Sequence, residues 1–187
     1  MSANPDINSP LALKGQVLSF NDGADASQYD YWEKGCVVIE DGLIAAVGDA
    51  ASVTVPEGAG VVDHGDDLIM AGFVDGHVHY PQMSVIASYG AKLIDWLNTY
   101  TFPEEAKFSN EDYASATAEF FLAESLKNGY TTSAVFCTIH PQSVDAFFSE
   151  AERLGLRMVA GKVLMDRHVP DNLCDTPQLA YDQSKTL

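Results

Sequence analysis

The chain has 187 residues, 47% of them hydrophobic, and carries a formal net charge of −17 from 27 acidic and 10 basic side chains. That length supports one or two small domains with a real core, and no apolar run comes near the ~18 residues that a membrane-spanning helix needs. The acid excess repels nucleic-acid phosphates and anionic membrane surfaces, and leaves a small neutral or cationic substrate open.

Residues 1–10 are polar, with neither a basic nor an apolar segment of the secretory kind, so no signal peptide is expected. Residues 11–20 predict a strand, followed by a polar loop around Asn21, Asp22, Gly23 and Asp25. Residues 35–48 predict a hairpin, because Asp41 and Gly42 separate two apolar runs. With a short strand at 61–63, roughly the first 65 residues predict an antiparallel β unit. Residues 68–79 then predict one mostly apolar strand. Leu93, Trp96, Leu97 and Tyr100 share a helical stripe over 91–101, ended by Pro103. A second helix is expected over 109–128, with Ser109 as N-cap and Gly129 as its stop. Residues 131–140 predict a buried strand, 143–154 a helix stopping at Gly155, and 157–165 a third strand. The tail from 170 predicts a loop and the start of a helix. Apolar strands alternating with helices from 68 onward mean βαβ units and a parallel sheet.

In such a sheet chemistry sits at the C-terminal strand ends. The strand over 68–79 ends in His77 and His79. Residues i and i+2 of a strand share a face, so both imidazoles can converge on one metal ion at about 2.0–2.1 Å each. Two ordinary strand-end histidines are the simpler alternative. Asp75 shares their face and can orient the pair. His140, Asp166, Arg167 and His168 are expected at neighbouring strand ends as weaker candidates. Cys137 and His140 would face opposite ways on a strand, so they are not a ligand pair. Lys162 reads as a structural, salt-bridging lysine. Trp96 belongs to a stripe of the kind usually buried in a core, but its segment follows the histidines and makes it a candidate pocket wall. Cys36, Cys137 and Cys174 match no zinc or redox spacing. Reduced, buried thiols in a cytoplasmic protein are the expectation.

The segment Ile69-Met70-Ala71-Gly72-Phe73-Val74-Asp75-Gly76-His77-Val78-His79 resembles the first-strand signature of the amidohydrolase superfamily. Ala71 stands where that signature commonly has proline. Tyr80-Pro81-Gln82, the block from Ile94 to Glu105 with its Trp-Leu-x-x-Tyr-Thr-Phe-Pro core, and Gly161-Lys162-Val163-Leu164-Met165-Asp166-Arg167 resemble the guanine deaminase branch. The resemblance implies the N-terminal part of a metal-dependent (β/α)8 barrel joined to a small β-sandwich. Residues 1–67 would belong to the sandwich and 68–187 would supply the first three β/α units. It implies Zn held by His77 and His79, Gln82 bonded to the purine, and hydrolysis of guanine to xanthine and ammonia. It also implies a cytoplasmic homodimer when full length. A (β/α)8 barrel takes about 250 residues, so the remaining metal ligands and proton-moving groups are expected beyond Leu187, and the 187-residue chain alone is expected to be inactive. The alternatives are an amidohydrolase acting on another heterocycle and a truncated, non-catalytic fragment.

Overall fold

A computed structural model describes residues 9–20 and 28–187. The expectations for residues 1–8 and for the polar loop at 21–25 lie outside the described residues. The chain divides into two compact units, Met1–Ala71 and Gly72–Leu187.

The first unit is a four-stranded sheet of β1 (Leu11–Phe20), β2 (Tyr29–Glu40), β3 (Leu43–Asp49) and β4 (Gly60–Met70), in the order β3-β2-β1-β4. Asp41 and Gly42 both adopt positive φ, 52° and 75°. That pairing is the tight hairpin turn whose twist matches the flanking strands. β2 begins earlier than the hairpin expectation, because the alternating Tyr29, Tyr31 and their neighbours pair with the far half of β1. β4 runs parallel to β1, not antiparallel. The polar residues His64, Gly65, Asp66 and Asp67 conceal it in the sequence. They occupy an irregularity where the register jumps from Lys14↔Asp63 to Gln16↔Leu68. Residues 68–70 therefore end β4, and the single strand expected over 68–79 is two strands broken at Ala71 and Gly72.

The second unit carries a parallel sheet of β5 (Phe73–His79), β6 (Tyr130–Phe136) and β7 (Arg157–Gly161), in that order. Gly72 lies where a Cβ would stand 2.2 Å from Thr131 Oγ1, so only glycine lets the chain enter β5 beside β6. Between β5 and β6 run a short 3₁₀ turn, Tyr80–Val85, and a composite helix. That helix consists of α1 (Leu93–Trp96), a π-helical turn (Leu97–Thr101) and α2 (Phe102–Glu105), and a second 3₁₀ turn follows it. The helix does not stop at Pro103. The π turn lies just before it and places Pro103 in the first turn of α2, where its missing N–H is tolerated.

Helix α3 (Glu111–Lys127) and helix α4 (Pro141–Arg153) are the crossovers, and α5 (Pro177–Thr186) closes the chain. Tyr80, Phe108, Phe121, Leu122 and Phe147 form the fully or nearly buried centre of the core that α3 and α4 make with the sheet. β6 and β7 are shorter than expected. Past Phe136 the chain turns through Thr138, whose N–H and hydroxyl both donate to Ser143 Oγ. His140 is therefore the residue before α4, not a strand end, and Asp166 lies well beyond β7. Among the described residues no helix is long and apolar enough to cross a membrane.

The N-cap of α3 is Asn110, not Ser109: Asn110 Oδ1 accepts from the Tyr113 N–H at 2.9 Å. Ser109 instead donates to the Ala106 carbonyl in the preceding turn. Asn110→Ala is expected to lower the unfolding free energy by about 1 kcal/mol, and Ser109→Ala by less than half as much, in paired denaturant titrations.

Candidate metal and substrate site

A register shift against β6 between Asp75 and Val78 breaks the alternation of β5: Asp75 lies beside Phe121, Ser125 and Ser133 on the α3 side, not on the face expected to carry it with the histidines. Val78 packs inward against the core, which turns His77 and His79 to the other face. Their Nε2 atoms stand 3.3 Å apart. Two nitrogen ligands at about 2.0–2.1 Å from one tetrahedral ion are separated by about 3.3–3.4 Å. The pair therefore fits two corners of a zinc-like coordination shell. Burial, and then the neighbouring His77, lower the pKa of His79 and favour the neutral imidazole that binds metal. Among the described residues no cluster of three or more His, Cys, Asp or Glu side chains could hold a metal ion.

The histidines are braced from two sides. Asp75 Oδ1 accepts from the His77 backbone N–H at 3.0 Å, so Asp75 fixes the strand end and not the ring. Phe136, opposite His79 in the β5–β6 register, stacks on the His79 ring at 4.7 Å and 13° and lies 4.9 Å from the His77 ring. Sequence reasoning missed Phe136, because its role depends on a cross-strand register that a lone apolar residue does not announce.

The chain after His79 builds the rest. Tyr80 is buried, and its hydroxyl donates to the Ser143 carbonyl at 2.6 Å. Burial pushes that hydroxyl's pKa strongly up. Gln82 follows on the 3₁₀ turn. An open cleft of about 510 Å³ is lined by His77, His79, Gln82, Met83, Ile86 and Trp96, among others. The structure thus brings all four expected site residues to one cleft. Trp96 is held from behind, since a Cβ on Gly90 would come within 2.5 Å of its side chain. Ala87 in the same lining has φ of 62°, a conformation of the kind concentrated at functional sites.

A family model for amidohydrolases matches residues 68–186. The chain belongs to the amidohydrolase family. It is 43% identical to guanine deaminase of Escherichia coli K12 over 164 residues, covering 87% of this chain and 37% of that protein. It superposes on a solved structure of E. coli guanine deaminase with a TM-score of 0.90 at 40% identity, covering 95% of this chain and 43% of that one. A guanine deaminase from C. acetobutylicum with bound guanine in its active site matches at a TM-score of 0.82 and 31% identity, covering 95% of this chain and 42% of that one. The chain therefore spans less than half the length of these relatives. The fold class is that of the N-terminal part of a (β/α)8-barrel amidohydrolase.

The other candidates of this amidohydrolase chain are not among the residues that line the cleft. His140 Nε2 is buried without a hydrogen-bond partner among the described residues, and burial, with a smaller effect from Lys162, lowers its pKa against the opposing influence of Asp175. Lys162 is salt-bridged, as expected: its Nζ bonds Asp175 Oδ2 at 2.7 Å and Gln183 Oε1 at 2.9 Å. Asp166, Arg167 and His168 are exposed and outside the cleft lining. Cys36, Cys137 and Cys174 are free; the first two are buried, but Cys174 is exposed, contrary to expectation.

In metal-free protein, ¹H NMR titration of His79 should give a midpoint below 6.5. His77→Ala should raise that midpoint without restoring 6.5, since burial is the larger cause.

Proposed function

We propose that this chain is the N-terminal part of a zinc-dependent guanine deaminase that converts guanine to xanthine and ammonia. The observation that carries the reading is the convergence of His77 Nε2 and His79 Nε2 at 3.3 Å in a cleft shared with Gln82 and Trp96. Likeness to the guanine deaminases of E. coli and C. acetobutylicum supports the choice of substrate. When bound, zinc would supply a nucleophile at neutral pH by lowering the pKa of water toward about 7.

The chain's own residues hold and orient. His77 and His79 supply two nitrogen ligands, and Phe136 fixes their ring planes. Asp75 pins the strand end through the His77 N–H. Gln82 offers a carbonyl and amide hydrogens, a combination suited to a purine edge with both an acceptor and donors. Trp96 provides a flat wall for a planar base. The remaining ligands and the groups that transfer protons come, in this reading, from outside these 187 residues. Free thiols at all three cysteines agree with a reducing, cytoplasmic setting, and the full-length protein is read as a homodimer.

Full-length protein should release ammonia from guanine, lose that activity on chelation and regain it with zinc. His77→Ala or His79→Ala should lower kcat/KM by more than about 100-fold. Turnover of adenine or a triazine but not of guanine would overturn the substrate assignment. The purified 187-residue chain should show no turnover, and activity from it with its mass confirmed intact would overturn its incompleteness.

A further inference from the structure

Gln82 has one polar partner that the proposed chemistry does not use. Its Nε2 donates to Glu105 Oε1 at 3.2 Å. Glu105 is only 3% exposed, and its other oxygen, Oε2, is buried with no hydrogen-bond partner among the described residues. The adjacent Glu104 is also buried, but Tyr113 donates to its Oε1 and Lys107 to its Oε2. Glu105 thus has one donor where its neighbour has two. A buried carboxylate that can only accept is a poor structural choice unless its position serves something.

The composite helix explains how Glu105 reaches Gln82. Trp96 and Glu105 are nine residues apart and would fall about 180° apart around an unbroken α-helix of 3.6 residues per turn. One residue inserted by the π turn Leu97–Thr101 reduces that angle to about 80°. The turn lets one short helix present Trp96 to the cleft and Glu105 to the side chain beside it.

We propose that Glu105 is a positioning residue that locks the carboxamide of Gln82 in one of its two flipped orientations. An amide can be turned end for end at almost no steric cost. A carboxylate accepts only, so the Gln82 NH₂ must face Glu105 and the Gln82 carbonyl must face away. The amide then meets a ligand with its carbonyl and its second N–H in fixed places. A base edge of matching donor and acceptor order binds, and an edge of reversed order leaves buried polar groups unpaired. Burial raises the pKa of Glu105, and the bond from Gln82 opposes that rise.

The inference rests on the proposed guanine deamination with Gln82 at the base, so the test begins with zinc-loaded full-length protein. Absence of guanine turnover there overturns that reading and this one with it. With turnover established, Glu105→Gln keeps the volume but can donate as well as accept, so it frees Gln82 to flip. KM for guanine is expected to rise on the order of tenfold, and kcat to fall by less than about threefold. In a Gln82→Ala background the same substitution is expected to add less than about twofold, because Glu105 acts only through Gln82. An unchanged KM in Glu105→Gln, or effects of the two substitutions that multiply independently, overturns the lock while leaving the deaminase reading intact. Should Glu105→Gln not fold, Glu105→Met is carried through the same cycle, with the same outcomes deciding.

Discussion

The site depends first on where β5 ends, and Tyr80 decides that. The residue after the second histidine is a fully buried aromatic whose hydroxyl donates to the Ser143 carbonyl. Its ring meets Phe108 edge-on at 5.3 Å and lies 5.2 Å from Phe147. A chain held this firmly at one position cannot slip by one residue. A slip would send His77 and His79 to the core face and Val78 to the cleft. The placement of the two histidines is thus inherited from the packing of a residue that touches neither ring.

Much of this was legible in the sequence because it is local. Asp41 and Gly42 announce a hairpin through their tolerance of positive φ, and His77 and His79 announce a shared face by their spacing. What was not legible depends on partners distant along the chain. Four polar residues concealed the middle of β4, because a register shift against β1 accommodates them. Pro103 read as a helix end, yet the π turn before it makes it a helix start. Thr138 and Ser143 end β6 early by bonding each other, which removes His140 from the strand. Phe136 reaches the histidines, and Glu105 reaches Gln82, only through a strand register and a helix insertion.

The second unit has its apolar layer unevenly covered. On the side of α3 and α4 its core is closed. Val74 and Val159 are 70% and 69% exposed, and Phe136 is 41% exposed. Among the described residues, β5 and β7 each pair with β6 alone. Open edges of this kind invite association with further strands, which agrees with a chain matching less than half the length of its relatives.

The buried bonds from Lys162 Nζ to Asp175 and Gln183 span only 13 and 21 residues of sequence. Both bonds therefore join segments that lie near one another along the chain. The second ties Gln183 of α5 to the residue that follows β7. On a ribosome, where segments nearer the N-terminus emerge first, the third strand and its trailing helix can be tied down as soon as they leave the exit tunnel. The end of β7 then has a fixed anchor.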